Sequence, residues 1–173
     1  FVAWGDKLAS EGPAAFYSAD YFADYPPGYI LVLGLVSLVR KALQLSYEAR
    51  WTYFLLALIP AICDCAAVVL LDHISRRYMG QGRAQRCLVL FAAFCPLTLF
   101  DTGIWKQIDG AFALPLLLCF WLLEERRYLL AAVLYGVALA IKPQALLAGP
   151  VLAVCFLVAI ADAVRDGKSP LKA

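Results

Sequence analysis

The chain has 173 residues and a formal net charge of +2; hydrophobic residues make up 64% of it and charged residues 16%, with a mean hydropathy of +0.77. Soluble domains average about 45–50% apolar and about 25% charged residues, so this composition excludes an ordinary soluble domain. It contains no basic run of the nucleic-acid-binding kind, which excludes DNA and RNA as partners. We predict an all-α fold, a polytopic transmembrane helical bundle with about five to six membrane segments in the lipid bilayer.

Residues 1–28 are polar and rich in aromatic side chains. Such rings favour the membrane interface, so one interpretation is an interfacial loop with amphipathic helices. The other is a binding surface for a polar molecule, because sugars stack on aromatic faces and hydrogen-bond to carboxylates.

The motif "DYPPGY" at 24–29 marks the point where the chain becomes apolar. Its prolines lack backbone N–H groups, so they suit the first turn of a helix that enters lipid. They also keep the preceding residues extended. The motif therefore predicts a helix start. Asp24 and Tyr25 precede this start, and we interpret them as candidate substrate-binding residues.

Six apolar blocks follow, at 29–45, 51–71, 87–104, 110–123, 128–141 and 144–161. A helix needs about 17–25 residues to cross a bilayer, so the second and third blocks qualify outright. Arg40 and Lys41 interrupt the first block, and the fourth and fifth are short. Pro143 breaks the last long stretch at a corner. We predict a transmembrane region at 29–161 and a polar cytoplasmic loop or tail at 162–173.

Basic residues cluster in three loops, separated each time by two apolar blocks. All three loops can therefore share one side, which the positive-inside rule makes cytoplasmic. Residues 105–109 and 142–144 then both lie on the exoplasmic side. If 29–45 and 51–71 both span, residues 1–28 fall on the cytoplasmic side; if the first block only dips in and returns, they fall outside. The arginines and lysines are Arg76, Arg77, Arg83 and Arg86; Arg126 and Arg127; and Arg165, Lys168 and Lys172.

Polar residues inside apolar blocks are costly, so they are candidates for function. Asp64 and Asp101 lie within blocks, and we expect Asp64 to meet a basic or hydroxyl partner on a neighbouring helix. Asp109 is a candidate N-cap of the next helix and a candidate substrate ligand, and the two roles are not exclusive. Lys142 is either a snorkelling lysine or a phosphate ligand. The remaining candidate substrate-binding residues are Trp105, Gln107 and Gln144.

The six cysteines lie in or beside apolar blocks, and none pairs with a histidine at metal-ligand spacing. We interpret them as small packing residues, with no disulfide, no metal and no cofactor.

Four motifs in order, "FVAWGDKLASEGPAAFY", "DYPPGY", "WKQIDG" and "IKPQALLAGP", resemble the GT-C superfamily of membrane glycosyltransferases. The resemblance covers nearly the whole chain. It is strongest to bacterial proteins similar to the eukaryotic enzyme that adds the second mannose of the GPI anchor.

The resemblance implies a mannosyltransferase that uses a polyprenyl- or dolichyl-phosphate-linked sugar donor on the exoplasmic face. The acceptor is a glycan, lipid or protein, and the membrane is the bacterial plasma membrane or, in a eukaryote, that of the endoplasmic reticulum. The family's essential Asp, which acts as general base on the acceptor hydroxyl or positions it, falls upstream of Phe1. Because the chain also starts without Met or a signal peptide, we expect a fragment that is inactive as it stands. The resemblance makes residues 1–28 the first exoplasmic loop, with interfacial helices, so either 29–45 is not a full span or the arginine loop at 73–86 is not cytoplasmic. We expect an incomplete or strongly tilted first block.

Two other classes remain open from the residues alone. A transporter or lipid flippase subunit also keeps carboxylates and proline breaks in its helices, although no repeat of the transporter kind is visible. A non-catalytic membrane scaffold would need none of the polar residues beyond folding.

Overall fold

The computed structural model describes residues 1–18 and 20–165. Lys168 and Lys172, and most of the predicted polar tail, lie outside the described residues. The described part contains nine α-helices and no strand: α1 (Val2–Glu11), α2 (Pro13–Phe16), α3 (Pro27–Ala42), α4 (Arg50–Met79), α5 (Arg83–Ala93), α6 (Pro96–Phe100), α7 (Asp109–Glu124), α8 (Tyr128–Ile141) and α9 (Gly149–Arg165). A π-helical turn (Asp101–Trp105) extends α6, and a 3₁₀ segment (Pro143–Ala148) precedes α9.

Three helical stretches are long and apolar enough to cross a membrane: Arg50–Met79, Arg83–Trp105 and Pro143–Arg165. Helix α8 is apolar but shorter. Most of the side chains along these stretches are not covered by the protein itself, as Phe91 at 71% and Leu147 at 84% exposure illustrate. Lipid accommodates such surfaces where water would not. The chain is therefore an all-α membrane helical bundle, as its composition predicts.

Prolines set two of the helix boundaries. Pro27 is the first residue of α3 and Pro26 precedes it with an extended backbone, which confirms the predicted helix start. At the other predicted break, α8 ends at Ile141 and Lys142 is extended, with φ −148° and ψ 127°, before Pro143 opens the 3₁₀ segment. A proline ring clashes with an α-helical residue before it, which is why the chain turns at both places.

Helix α4 is the axis of the structure. Its 30 residues extend over about 45 Å, far more than α7 or α8. Helix α7 packs along its second half in the same direction: Gly110 lies against the backbone of Pro60 at one end, and Arg77 pairs with Glu125 at the other. Helix α8 returns antiparallel beside α7.

Helices α1 and α3 pack together at the opposite end of α4. Gly5 lies against the backbone of Leu33, so the two helices touch closely. Helix α3 begins against the end of α8, where Gly28 contacts the carbonyl of Ala140, and the short 43–49 loop joins it to the start of α4. The fold therefore has two layers along α4, with α1 and α3 in one and α7 and α8 in the other.

Helix α3 contacts the end of α8 through Gly28, and its Ile30 and Leu33 belong to the same apolar cluster as Ala111 at the start of α7. Arg77 lies next to Glu124 and Glu125, so the first two predicted basic loops share one end of the bundle. The membrane side of that end stays a prediction.

Candidate active site

Three chain segments meet where the α1–α3 layer borders the α7–α8 layer. They are the start of α3, the start of α7 and the end of α8. A cleft of about 480 Å³ opens there. It combines a carboxylate, a phenol, an ammonium group and an amide with two leucines, and its lining is Asp24, Tyr25, Lys142, Pro143, Gln144, Leu146 and Leu147.

Tyr25 connects the first loop to the start of α7. Its hydroxyl donates a hydrogen bond to Gln107 Oε1 at 2.9 Å. Burial, and then the negative charges of Asp109, Asp24 and Asp101, raise the pKa of the Tyr25 phenol above its ordinary value. The phenol therefore stays protonated and remains a donor. Its ring packs against Tyr29, with the centroids 4.6 Å apart.

Lys142 and Asp109 form an ion pair between the end of α8 and the start of α7. Lys142 is nearly buried, with 11% of its side chain exposed, whereas 44% of the Asp109 side chain is exposed. The ammonium also lies 5.8 Å from the ring centre of Phe112, a cation–π distance.

The capping interpretation of Asp109 is wrong. Asp109 is the first residue of α7, and Ile108 occupies the cap position without any side-chain cap hydrogen bond. The carboxylate is turned to Lys142 because a charge-assisted contact is stronger than one to a neutral backbone N–H. Asp109 still favours the helix start electrostatically.

Asp64, on α4, lies against Gly110, the residue that follows Asp109. The Thr102 hydroxyl donates to Asp64 Oδ2 at 2.6 Å, which confirms the expected hydroxyl partner on a neighbouring element. The π-helical turn presents Thr102 toward α4. Gly110 is also required here, because a Cβ at that position would clash with the Asp64 carboxylate. The close contact between α4 and α7 thus depends on one missing side chain.

The predicted site residues do not all reach the cleft. Asp24, Tyr25, Lys142 and Gln144 line it, while Gln107 and Asp109 are attached to lining residues by one contact each. Trp105 is 64% exposed and packs on Phe100, with ring centroids 5.3 Å apart, so the structure does not bring it to the cleft.

Sequence reasoning missed four residues of this region. Gly28 and Gly110 permit the close approaches that bring the three segments together. Both glycines lie inside motifs quoted above, Gly28 in "DYPPGY" and Gly110 in "WKQIDG", but the sequence does not predict that either makes a close contact between helices. Leu146 and Leu147 carry no chemical signal, because leucine is common throughout the chain.

The arrangement is suited to a ligand that is both polar and apolar. The carboxylates and amides accept or donate hydrogen bonds to hydroxyls, the ammonium binds an anion, and the two exposed leucines offer an apolar surface. Among residues 1–18 and 20–165, no group of three or more His, Cys, Asp or Glu is placed to hold a metal ion.

The sequence model of glycosyltransferase family 87 matches residues 22–163, which is well over half of the chain. The matched range includes every candidate residue at the cleft. No curated protein and no solved structure gives a significant match.

Proposed function

This chain belongs to glycosyltransferase family 87, and we propose that it transfers mannose from a polyprenyl- or dolichyl-phosphate donor to an acceptor hydroxyl on the exoplasmic face of its membrane. The resemblance to GT-C enzymes supports the donor, the face and the sugar. Family membership favours this class over the transporter and scaffold alternatives. The acceptor class remains a glycan, a lipid or a protein.

The observation that carries the proposal is the Lys142–Asp109 pair at the cleft. An ammonium group has three N–H donors, and Asp109 accepts one of them. We infer that the others bind a phosphate oxygen and that the prenyl chain contacts Leu146 and Leu147, which line the same cleft. A sugar phosphate on a lipid has an anion that would pair with Lys142 and an apolar chain that would contact the two leucines.

In the proposed reaction the acceptor hydroxyl oxygen attacks the anomeric carbon of mannose. The bond between that carbon and the phosphate oxygen breaks, and the electron pair leaves with the lipid phosphate. Lys142 stabilises the charge that develops on this leaving group. A single displacement of this kind inverts the anomeric configuration.

The remaining residues bind hydroxyls rather than transfer protons. Asp24, Gln107 and Asp109 accept hydrogen bonds from sugar or acceptor hydroxyls, Tyr25 holds Gln107 in place, and Gln144 lies beside Lys142 on the wall of the cleft. The proton of the acceptor goes to the Asp that the resemblance places upstream of Phe1. We therefore propose that this range supplies the binding half of an active site whose base lies in the longer protein.

The test is a transfer assay with the full-length protein in liposomes. We expect labelled mannose to pass from polyprenyl-phosphate-mannose, and not from a nucleotide-mannose, into a new glycosidic bond. Transfer from the nucleotide sugar alone would overturn the donor assignment. Movement of the labelled lipid across the bilayer without a new bond would instead favour a flippase.

A further inference from the structure

A second cleft, of about 460 Å³, lies between the last turns of α4 and the first turns of α5. It is distinct from the candidate active site, because it lies at the end of α4 where Arg77 meets Glu125 at the far end of α7. The length of α7 separates the two by about 24 Å. The lining is Asp72, Arg76, Gln81, Gln85, Arg86, Val89 and Leu90.

The floor of this cleft is held by hydrogen bonds between the two helices. Gln85 is 3% exposed, and its Nε2 donates to Asp72 Oδ1 at 2.7 Å and to Ser75 Oγ at 3.1 Å. Arg76 contacts both carboxylate oxygens of Asp72, at 3.0 and 2.7 Å. These contacts hold the side chains of the floor in place without a ligand.

The charge of the cleft is positive. Arg76 neutralises Asp72, which leaves Arg86 as the excess charge of the lining. Arg86 forms no ion pair with any residue in 1–18 or 20–165. A guanidinium presents paired N–H groups that match phosphate oxygens, so Arg86 is suited to a phosphate ligand.

The other wall of the cleft is apolar. Val89 and Leu90 lie about one turn further along α5, inside the membrane-crossing stretch Arg83–Trp105, and Leu90 is 57% exposed. The cleft thus passes from an arginine to an apolar surface in the direction of the bilayer. A free phosphate ion would use only the first part, whereas a phospholipid uses both.

We propose that this cleft binds an anionic phospholipid, with its phosphate on Arg86 and the start of an acyl chain on Val89 and Leu90. Basic pockets at the ends of membrane helices bind such headgroups. The proposal concerns a site away from the transfer cleft and does not depend on the proposed function.

Native mass spectrometry of the full-length protein, titrated with phosphatidylglycerol or phosphatidylcholine, tests the proposal. We expect phosphatidylglycerol to bind more tightly, and Arg86→Gln to weaken that binding about tenfold, because a charge-assisted contact is lost. Arg83→Gln is the matched control: Arg83 is also exposed and starts the same helix, but does not line the cleft. It should weaken binding less than about fivefold, by the surface potential alone.

Three outcomes would overturn the proposal. Equal affinity for phosphatidylglycerol and phosphatidylcholine would show that the cleft does not select for the negative charge of the headgroup. Equal losses for the two variants would show that the surface potential, not the cleft, attracts the lipid. Displacement of phosphatidylglycerol by millimolar inorganic phosphate, with the same dependence on Arg86, would show a site for free phosphate instead.

Discussion

The Lys142–Asp109 pair is unequal in burial, and this inequality decides how its two members respond to mutation. Lys142 is nearly enclosed, whereas almost half of the Asp109 side chain is exposed. Removing one partner of an ion pair leaves the other charge uncompensated, at a cost that grows with burial. The two single substitutions are therefore not equivalent.

We predict that Asp109→Asn lowers the free energy of unfolding more than Lys142→Met does. The first leaves an enclosed ammonium without its carboxylate, at about 1–3 kcal/mol, while the second leaves a carboxylate that water can hydrate. The double variant should be more stable than Asp109→Asn alone. Thermal unfolding in detergent measures all three, and the reverse order of the single variants would contradict the account of this pair.

At the scale of elements, helix contacts in this fold depend on glycine. Gly110 brings α7 against α4, and Gly28 brings the start of α3 against the end of α8. Such contacts set the positions of Asp64, Asp109 and Lys142 relative to each other. A methyl group at either glycine forces two backbones apart, because the nearest atoms include backbone carbonyls that cannot rotate away.

We predict that Gly110→Ala destabilises the protein by about 1–3 kcal/mol, because its Cβ would meet the Asp64 carboxylate and lie 2.9 Å from the Pro60 carbonyl oxygen. Gly136→Ala is the matched control, since Gly136 lies within α8 with nothing within 4 Å of its Cβ position. It should be neutral or slightly stabilising, because alanine favours helix. Equal unfolding temperatures for both variants would contradict the close contact of α4 and α7.

The contact between α1 and α3 is polar at its end. Asp6 accepts hydrogen bonds from Ser37 and, at 2.7 and 2.8 Å, from Arg40. Burial alone would raise the pKa of the Asp6 carboxyl, but these donors outweigh it and hold the pKa below its ordinary value of 3.8. The ionised carboxylate therefore stabilises the fold above pH 3.8, and this contribution is lost as the pH falls through the lowered pKa.

We predict that Asp6→Asn lowers the unfolding temperature at pH 7, and that its difference from the wild type shrinks as the pH falls below 3.8. Glu11→Gln is the control on the same helix. It removes the exposed Lys7–Glu11 pair, which contributes little. A difference between wild type and Asp6→Asn that is independent of pH would contradict the assigned ion pair.

At the scale of the whole molecule, the features that sequence predicts are those that local sterics and composition decide. Pro27 and Pro143 coincide with helix boundaries, although Pro60 and Pro115 lie inside α4 and α7, and the hydropathy predicts the long spans. The number of apolar blocks between the basic loops also predicts that Lys142 and Asp109 lie at the same end of the helical bundle. The structure places them in contact.

The features that sequence does not predict depend on packing between distant segments. Aspartate is a residue type that often caps helices, and Asp109 lies where the sequence predicts a cap. Its carboxylate instead contacts Lys142, 33 residues further on. Trp105 belongs to the same motif as Gln107, yet the π-helical turn leaves it on the surface. The close contacts at Gly5, Gly28 and Gly110 join helices that are distant in sequence, and no hydrophobic pattern predicts them.

We propose that the lipid phosphate leaves at the cleft between the starts of α3 and α7. The most direct measurement is kcat/KM for mannose transfer from polyprenyl-phosphate-mannose by the full-length protein carrying Lys142→Ala or Lys106→Ala. Lys106 is the control, because it lies three residues before Asp109, its ammonium donates to the Gly103 carbonyl, and it forms no ion pair within residues 1–18 and 20–165. The account predicts a loss of about 10²–10³ for Lys142→Ala and little change for Lys106→Ala; full activity of Lys142→Ala would contradict it.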